Sequence, residues 1–235
     1  MSALGHHLEE AGIATVAIAL IRPQAERTRP PRALWVPFEL GRPIGPPSHP
    51  AFQRSVILAA LRLLTARKTT SLIADFPEDD PREQPDPDWR PPIRPARSHG
   101  PDAMEAELRA LAPAYARSCT ERGRSTVGLT GLAPAQSGAY LGACLRGEAP
   151  SSPVPGMSDV LALRFASDDL KAFALEAAIA GGKKPSSRQL GDWLWNQTAL
   201  GAALDEARRW LMTHGGDRGK AVAPFFVPAL RLPTG

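Results

Sequence analysis

Between Arg29 and Pro47 the chain runs RPPRALWVPFELGRPIGPP, an apolar run held between two proline clusters. Proline fixes its own φ, carries no N–H and pushes the preceding residue out of the helical region. No helix can pass through this stretch, and no central strand can continue past Pro37. A short strand over 33–38 is left, ending there or lying at a sheet edge. The loop GRPIGPPSHP that follows is stiff.

The flanking segments supply what such a strand needs. Residues 2–11 form a short helix that Ser2 can cap and Gly12 stops. IATVAIALI, residues 13–21, is short, almost wholly apolar and rich in β-branched side chains. Bounded by Gly12 and Pro23, it predicts a strand buried on both faces, and so a parallel sheet. A helix leading into a buried strand is half of a βαβ unit. PAFQRSVILAALRLLTAR, residues 50–67, predicts a helix with proline in its first turn. Its apolar stripe is Phe52, Val56, Ala59, Ala60, Leu63 and Leu64.

The character then changes. Residues 75–101 are proline-rich and charged, with Trp89 the main apolar anchor. They predict an extended loop or linker, or an arm that packs on a partner subunit through Trp89 and Ile93. Beyond it helices dominate: 102–122, with Pro113 marking a kink or break; 134–146; 158–180; and 187–213. STVGLTG, residues 125–131, is a short strand or a turn, and GEAPSSPVPG a second linker. Ser186 and Gln189 fit a capping box. Leu190, Trp193, Leu194, Leu200, Leu204 and Leu211 make the apolar stripe of the last helix. FFVPALRLP is expected to be an extended tail. The fold class is therefore α/β: a small, mainly parallel sheet with flanking helices, followed by a helical C-terminal region. The expected parts are 1–75, a linker or arm over 76–101, and a mainly helical 102–235.

Charge excludes some partners. The net charge of the 235 residues is only +4, and the basic residues are scattered among acids, as in LDEARRWL. No block of like charge and no basic run interleaved with aromatics occurs, so no nucleic-acid partner is expected. The two cysteines, Cys119 and Cys144, form no CxxC; a disulfide framework is not expected and a reducing compartment fits. No apolar stretch reaches the roughly 18 residues of a membrane span, and MSALGHHLEEAG is not a signal peptide. The expectation is a cytoplasmic protein with no membrane partner.

Few motifs carry chemistry. HHLEE sets His6 with Glu9 and Glu10 at near-helical spacing, but no HExxH or third ligand stands nearby; a solvated helix face is the better reading. His49, His99 and His214 each sit beside Gly or Pro and are expected in loops. Cys144, in GAYLGACLRG, is expected to be a small packed hydrophobe. Cys119 lies between Arg117 and Arg122, where cations would lower a thiol pKa, although an inert helix cysteine is the plainer reading. The acids of FPEDDP, Glu78, Asp79 and Asp80, are expected to be solvated. No GxSxG, Walker A or GxGxxG occurs, and neither a metal nor a cofactor is implied. Glu39, Gly41 and Arg42 stand out because they follow a buried strand directly, and open α/β sheets hold ligands beyond the carboxyl ends of their strands. Arg42 is a permanently charged fork suited to a carboxylate, with Glu39 close enough to orient it. These two are the expected ligand-binding residues. In the alternative, they pair with each other or with the proline-rich arm.

HLEEAGIATVAI followed by RPPRALWVPFELGRPIGPPSHPAFQ resembles the selenoprotein B family of glycine, sarcosine, betaine and D-proline reductases. In that family a helix and an EAGIPTV-like strand precede PPRA, a P-x-G-x-P-x-G-x-P loop and a helix that starts like PAFQ. The resemblance spans residues 5–64, and residues from about 100 onward carry no reductase motif. It implies reductive cleavage of a C–N bond in a small amino acid or amine, with electrons from thiols and a selenocysteine or cysteine as nucleophile. It also implies work with a partner reductase subunit or as a homo-oligomer. The family's redox residue lies just upstream of the EAGI helix; neither Cys119 nor Cys144 matches it, so no residue is assigned a catalytic role. Either the homologue lacks the motif and serves as a non-catalytic ligand-binding or assembly protein, or the recorded start follows a selenocysteine codon taken for a stop. An in-frame UGA or Cys codon before Met1 would favour the reductase.

Overall fold

The computed structural model describes residues 2–66, 71–81, 85–148 and 150–228. The chain divides into two compact units, Met1–Gln84 and Pro85–Gly235, so the division falls inside the stretch expected to be a linker.

The first unit is built on a three-stranded, wholly parallel sheet in the order β1-β2-β3. Helix α1 is Ser2–Glu10, β1 Ala17–Ala19, α2 Arg22–Thr28, β2 Arg32–Trp35, α3 Pro50–Arg62 and β3 Leu72–Asp75. Ala17 pairs with Ala33, and Leu34 with Ala74. The α/β class with a small parallel sheet is as expected. Its details differ in four places. β1 is three half-buried residues rather than nine buried on both faces, because it is an edge strand of a narrow sheet. Pro23 does not merely stop that strand: it stands in the first turn of α2, where its missing N–H costs nothing. SLIAD, read as neither helix nor strand, supplies β3. The third helix tightens into a 3₁₀ turn at Leu63–Thr65; Arg67, its expected end, lies outside the described residues.

One face of the sheet carries the core. Leu34, Val36, Phe38, Phe52, Val56, Ala60 and Phe76 bury together. The rings of Phe38, Phe52 and Phe76 meet at centroid distances of 5.5–5.9 Å in tilted and edge-on contacts, the geometry that aromatic quadrupoles favour.

The second unit is helical: α4 Pro101–Arg122, α5 Pro134–Leu145, α6 Asp159–Ala178, α7 Ser187–Gln197, α8 Ala199–His214 and α9 Gly216–Val222, then a 3₁₀ turn at Ala223–Phe225. Pro113 does not break α4, which runs on through it. It leaves the Arg109 carbonyl without its helical N–H, but both residues lie on the exposed face, where water can replace the bond. The expected single helix over 187–213 is two. Thr198 is extended (φ −112°, ψ 147°) and caps α8, its hydroxyl accepting from the Gly201 N–H at 2.9 Å. The buried Glu107 of α4 takes the next two N–H groups, Ala199 at 2.7 Å and Leu200 at 3.0 Å. A carboxylate 92 residues earlier in the chain thus starts α8. The capping box expected of Ser186 and Gln189 forms at the start of α7.

The STVGLTG segment is not a strand. It is a loop held by two buried acids of α6. Asp169 accepts from the N–H groups of Gly128, Leu129 and Thr130 and from the Thr130 hydroxyl, at 2.6–3.0 Å. Glu176 accepts from the N–H and hydroxyl of Thr126, both at 2.7 Å. Burial pushes the Asp169 carboxyl up, but these donors outweigh it and hold the group below the usual carboxylate range. The balance at Glu176 is the same, with Arg122 helping.

The described part of the proline-rich arm is irregular, with turns and no helix before Pro101. Trp89 is buried in the helical unit, its indole N–H donating to the Ala178 carbonyl at 3.0 Å and its ring edge-on to Trp193. Ile93 packs on the same core, so both anchors seat on this chain rather than needing a partner. Of the expected extended tail FFVPALRLP, Phe225 instead ends the 3₁₀ turn and Phe226 and Val227 are buried. The remainder, from 229, lies outside the described residues. No described helix is long and apolar enough to cross a membrane.

Candidate functional site

The carboxyl ends of the three strands bring charge together. Beyond Trp35 the chain stays tied to its neighbours, Val36 donating to the Ala19 carbonyl (3.0 Å) and Phe76 to that of Trp35 (2.8 Å). Two successive turns follow, closed by Arg42 N–H to Glu39 O at 3.1 Å and Gly45 N–H to Arg42 O at 2.9 Å. Gly41 (φ 91°) and Gly45 (φ 86°) occupy backbone regions that side chains resist. At Gly45 a Cβ would also lie 2.5 Å from the Phe52 ring. Gln53 of α3 then donates to the Pro46 carbonyl at 2.9 Å. The loop after β2 is therefore fixed by turns, by prolines and by a tie to the next helix.

Glu39 and Arg42, the expected ligand-binding residues, stand together on this loop. Arg42 Nη1 is 3.7 Å from Glu39 Oε2 and 4.0 Å from Asp80 Oδ2. The Arg42 side chain remains 42% exposed, whereas that of Asp80 is wholly buried. Asp80 therefore departs from the solvated role expected of FPEDDP: it lies beneath the guanidinium, and Asp79 accepts its N–H at 2.8 Å. Composition could not reveal this, because the cation near Asp80 is Arg42, distant in sequence. At the same end of the strands, Arg22 pairs with Glu26 at 2.9 Å and with Asp75 at the end of β3. Its guanidinium carbon lies 5.3 Å from the Trp35 ring centre, a cation–π contact. Arg22 and Asp75 were not singled out from the sequence. Their signal was available: each lies within three residues of a strand end.

The opposite end of the strands has a different chemistry. A cleft of about 150 Å³ opens there, lined by Gly5, Leu8, Thr15, Pro31 and Arg32 among others. Glu9 and Arg32 form an ion pair buried to within 8% on both sides. Glu9 also accepts from the Thr15 N–H at 2.6 Å and the Thr15 hydroxyl at 3.2 Å, and Arg32 donates to the Ala66 carbonyl at 3.3 Å. The Thr15 N–H above all, against the cost of burial and with the Thr15 hydroxyl and Arg32 adding to it, holds the Glu9 carboxyl below its ordinary value. Glu9 is thus no solvated acid, and its carboxylate is engaged. His6 faces the Arg29 carbonyl at 2.7 Å. No group of three or more metal-ligating side chains occurs among the described residues.

Both thiols belong to the helical unit, Cys119 on α4 and Cys144 on α5, each free and half-buried. Burial, with Asp159 nearby, pushes the Cys144 thiol up to about 11, so it stays protonated and unreactive at neutral pH. Compared with family models, with curated proteins and with solved structures, the chain finds no match.

Proposed function

We propose that the chain is a component of a thiol-dependent reductase of the kind its first quarter resembles, and that its part is to bind a small amino acid or amine while a partner supplies the nucleophile. One observation supports this above others. The loop after β2 is held rigidly at the carboxyl ends of parallel strands, where open α/β sheets take ligands, and it presents a half-exposed guanidinium. Arg42 would grip a carboxylate through two parallel N–H bonds, and Glu39 would face the ligand's amine. Reductive C–N cleavage needs a thiolate or selenolate. Neither cysteine stands in the resembling segment, so the electrons would come from a partner's dithiol, which closes to a disulfide.

Calorimetric titration of the full chain with glycine, sarcosine, betaine and D-proline tests this reading. At least one should bind, and Arg42→Lys should weaken it about tenfold despite keeping the charge, because the fork is lost. No binding, or equal affinity in the variant, overturns it. With dithiothreitol as reductant the chain alone should not turn these compounds over. Turnover that Cys119→Ala abolishes would put the nucleophile in the wrong place for this proposal.

The neighbours of Arg42 favour a second reading. With Glu39 and Asp80 both within 4.0 Å, its charge is answered internally, and the loop would be a rigid connector in a non-catalytic assembly protein. Arg42→Met would then lower the melting temperature and change no ligand affinity.

A further inference from the structure

A second site lies in the helical unit and rests on none of the reductase reading. A cleft of about 300 Å³ runs between α4 and the start of α5, at the lower end of the range for small-molecule sites. One stripe of α4 forms its long wall: Glu105, Leu108, Arg109 and Ala112 stand at i, i+3, i+4 and i+7, the spacing that shares a helix face. Phe173 of α6 lies at its base with the Tyr115 ring, their centroids 4.7 Å apart. The opposite wall is Ala133, Pro134 and Ala135. The cleft stays open because its rim is made of small residues: a larger side chain at Ala112 would fill it. It is also held open. Gly138 lets α5 approach Leu108 so closely that a Cβ there would fall 2.4 Å from the leucine methyl. The loop before α5 is fixed by Asp169, and the Tyr115 hydroxyl is engaged with Ser125 at 2.8 Å. What the cleft offers a ligand is therefore apolar surface.

Charge at the rim decides the class of occupant. Glu105 is answered by Arg146 at 3.2 Å, and Arg146 also reaches Asp102 and Glu148. Arg109 has no ion-pair partner among the described residues. The rim thus presents the Arg109 guanidinium, free of ion pairs among the described residues, beside an apolar slot, with Glu105 one helical turn away and held by Arg146. We infer that this cleft binds a small monocarboxylate with an apolar tail, the tail lying along Leu108, Tyr115 and Phe173 and the carboxylate meeting Arg109. A neutral molecule of the same shape would leave the fork unanswered.

The test is calorimetry and amide-shift mapping on the full chain with octanoate, held below its micellar range, and with octanamide as its neutral counterpart. Octanoate should move the amides of Leu108, Ala112 and Ala135 and bind about tenfold tighter than octanamide, as a charge-assisted bond demands. Arg109→Gln should erase that difference by weakening octanoate alone. Ala112→Trp, at an exposed helix position, should block both. Octanoate that leaves the cleft amides unmoved at millimolar concentration overturns the site. Octanamide binding as well as octanoate, or full octanoate affinity in Arg109→Gln, overturns the carboxylate assignment. Were Ala112→Trp to fold poorly, the Arg109→Gln comparison decides by itself.

Discussion

The two units bury charge with different main partners. In the first, buried acids have a base as partner: Glu9 meets the buried Arg32 as well as the Thr15 N–H, and Asp80 lies 4.0 Å from the half-exposed Arg42. In the second, buried acids meet backbone N–H groups. Asp169 gathers three of them, Glu107 two and Glu176 one. The difference follows from the architecture. A three-stranded sheet satisfies its own backbone at the core and leaves side-chain charges to find each other. A helical unit leaves unpaired N–H groups at every helix start and in every tight loop, and a carboxylate is their natural acceptor. Ion pairing in the first unit sets side-chain geometry; in the second, acids decide where helices and loops begin.

The largest test of this contrast is Asp169→Ala. It strips four donors of one acceptor, each costing about 1–3 kcal/mol if left unmatched, and should destabilise the helical unit by about 3 kcal/mol or more in urea. Fast hydrogen exchange should appear at Gly128, Leu129 and Thr130. Because the Asp169 carboxyl is held below its unfolded value, its contribution is complete above the ordinary carboxylate range and is lost as the pH falls through the folded value. Asp169→Asn should flatten that acid limb. Slow exchange in Asp169→Ala would mean that the loop does not depend on the acid.

A smaller effect is expected in the first unit, and of another kind. Arg32→Met should lower the melting temperature by leaving Glu9 buried without its cation. Replacing both, Glu9→Leu with Arg32→Met, should recover part of the loss, since a buried pair often exchanges well for apolar neighbours. Should the double variant fall by the sum of the singles, the two charges are not coupled and the contrast between the units fails.

The smallest effect belongs to Glu107→Gln. Burial drives the Glu107 carboxyl above its ordinary value, against the pull of the Leu200 and Ala199 N–H groups. The variant keeps an acceptor for α8 and removes a charge that is costly to bury, so stability should change by about 1 kcal/mol or less. Since the folded value is the raised one, the native protein should gain stability as the pH falls from above that value towards the ordinary carboxylate range. Glu107→Gln should lose that gain. A large loss at neutral pH would show that the ionised form is needed to start α8.

The same contrast explains what could be seen in the sequence. Local signals held wherever neighbours in sequence decide structure: α1 ending before Gly12, α3 starting at Pro50, and α7 with its Ser186–Gln189 box. They failed where a distant residue decides. Nothing near Thr198 announces that Glu107 will end one helix and begin another, and nothing within STVGLTG announces the two acids of α6. Glu39 and Arg42 were legible because they follow a strand. Asp80, Arg22 and Asp75 join them only once the parallel register is known. The Arg109 cleft was hidden for another reason: a helix stripe of mixed character is ordinary until one sees that the facing residues are too small to cover it.

Trp89 carries one more consequence, in light rather than in energy. Its indole is sealed inside the helical unit, edge-on to Trp193 at 6.5 Å, while the chain around it has no regular structure. The share of the emission that Trp89→Phe removes should be blue while the arm is seated and should shift red as soon as water reaches the ring. A segment that circular dichroism would hardly register thus has its own optical label, placed by the sequence where its attachment to the helical unit is decided.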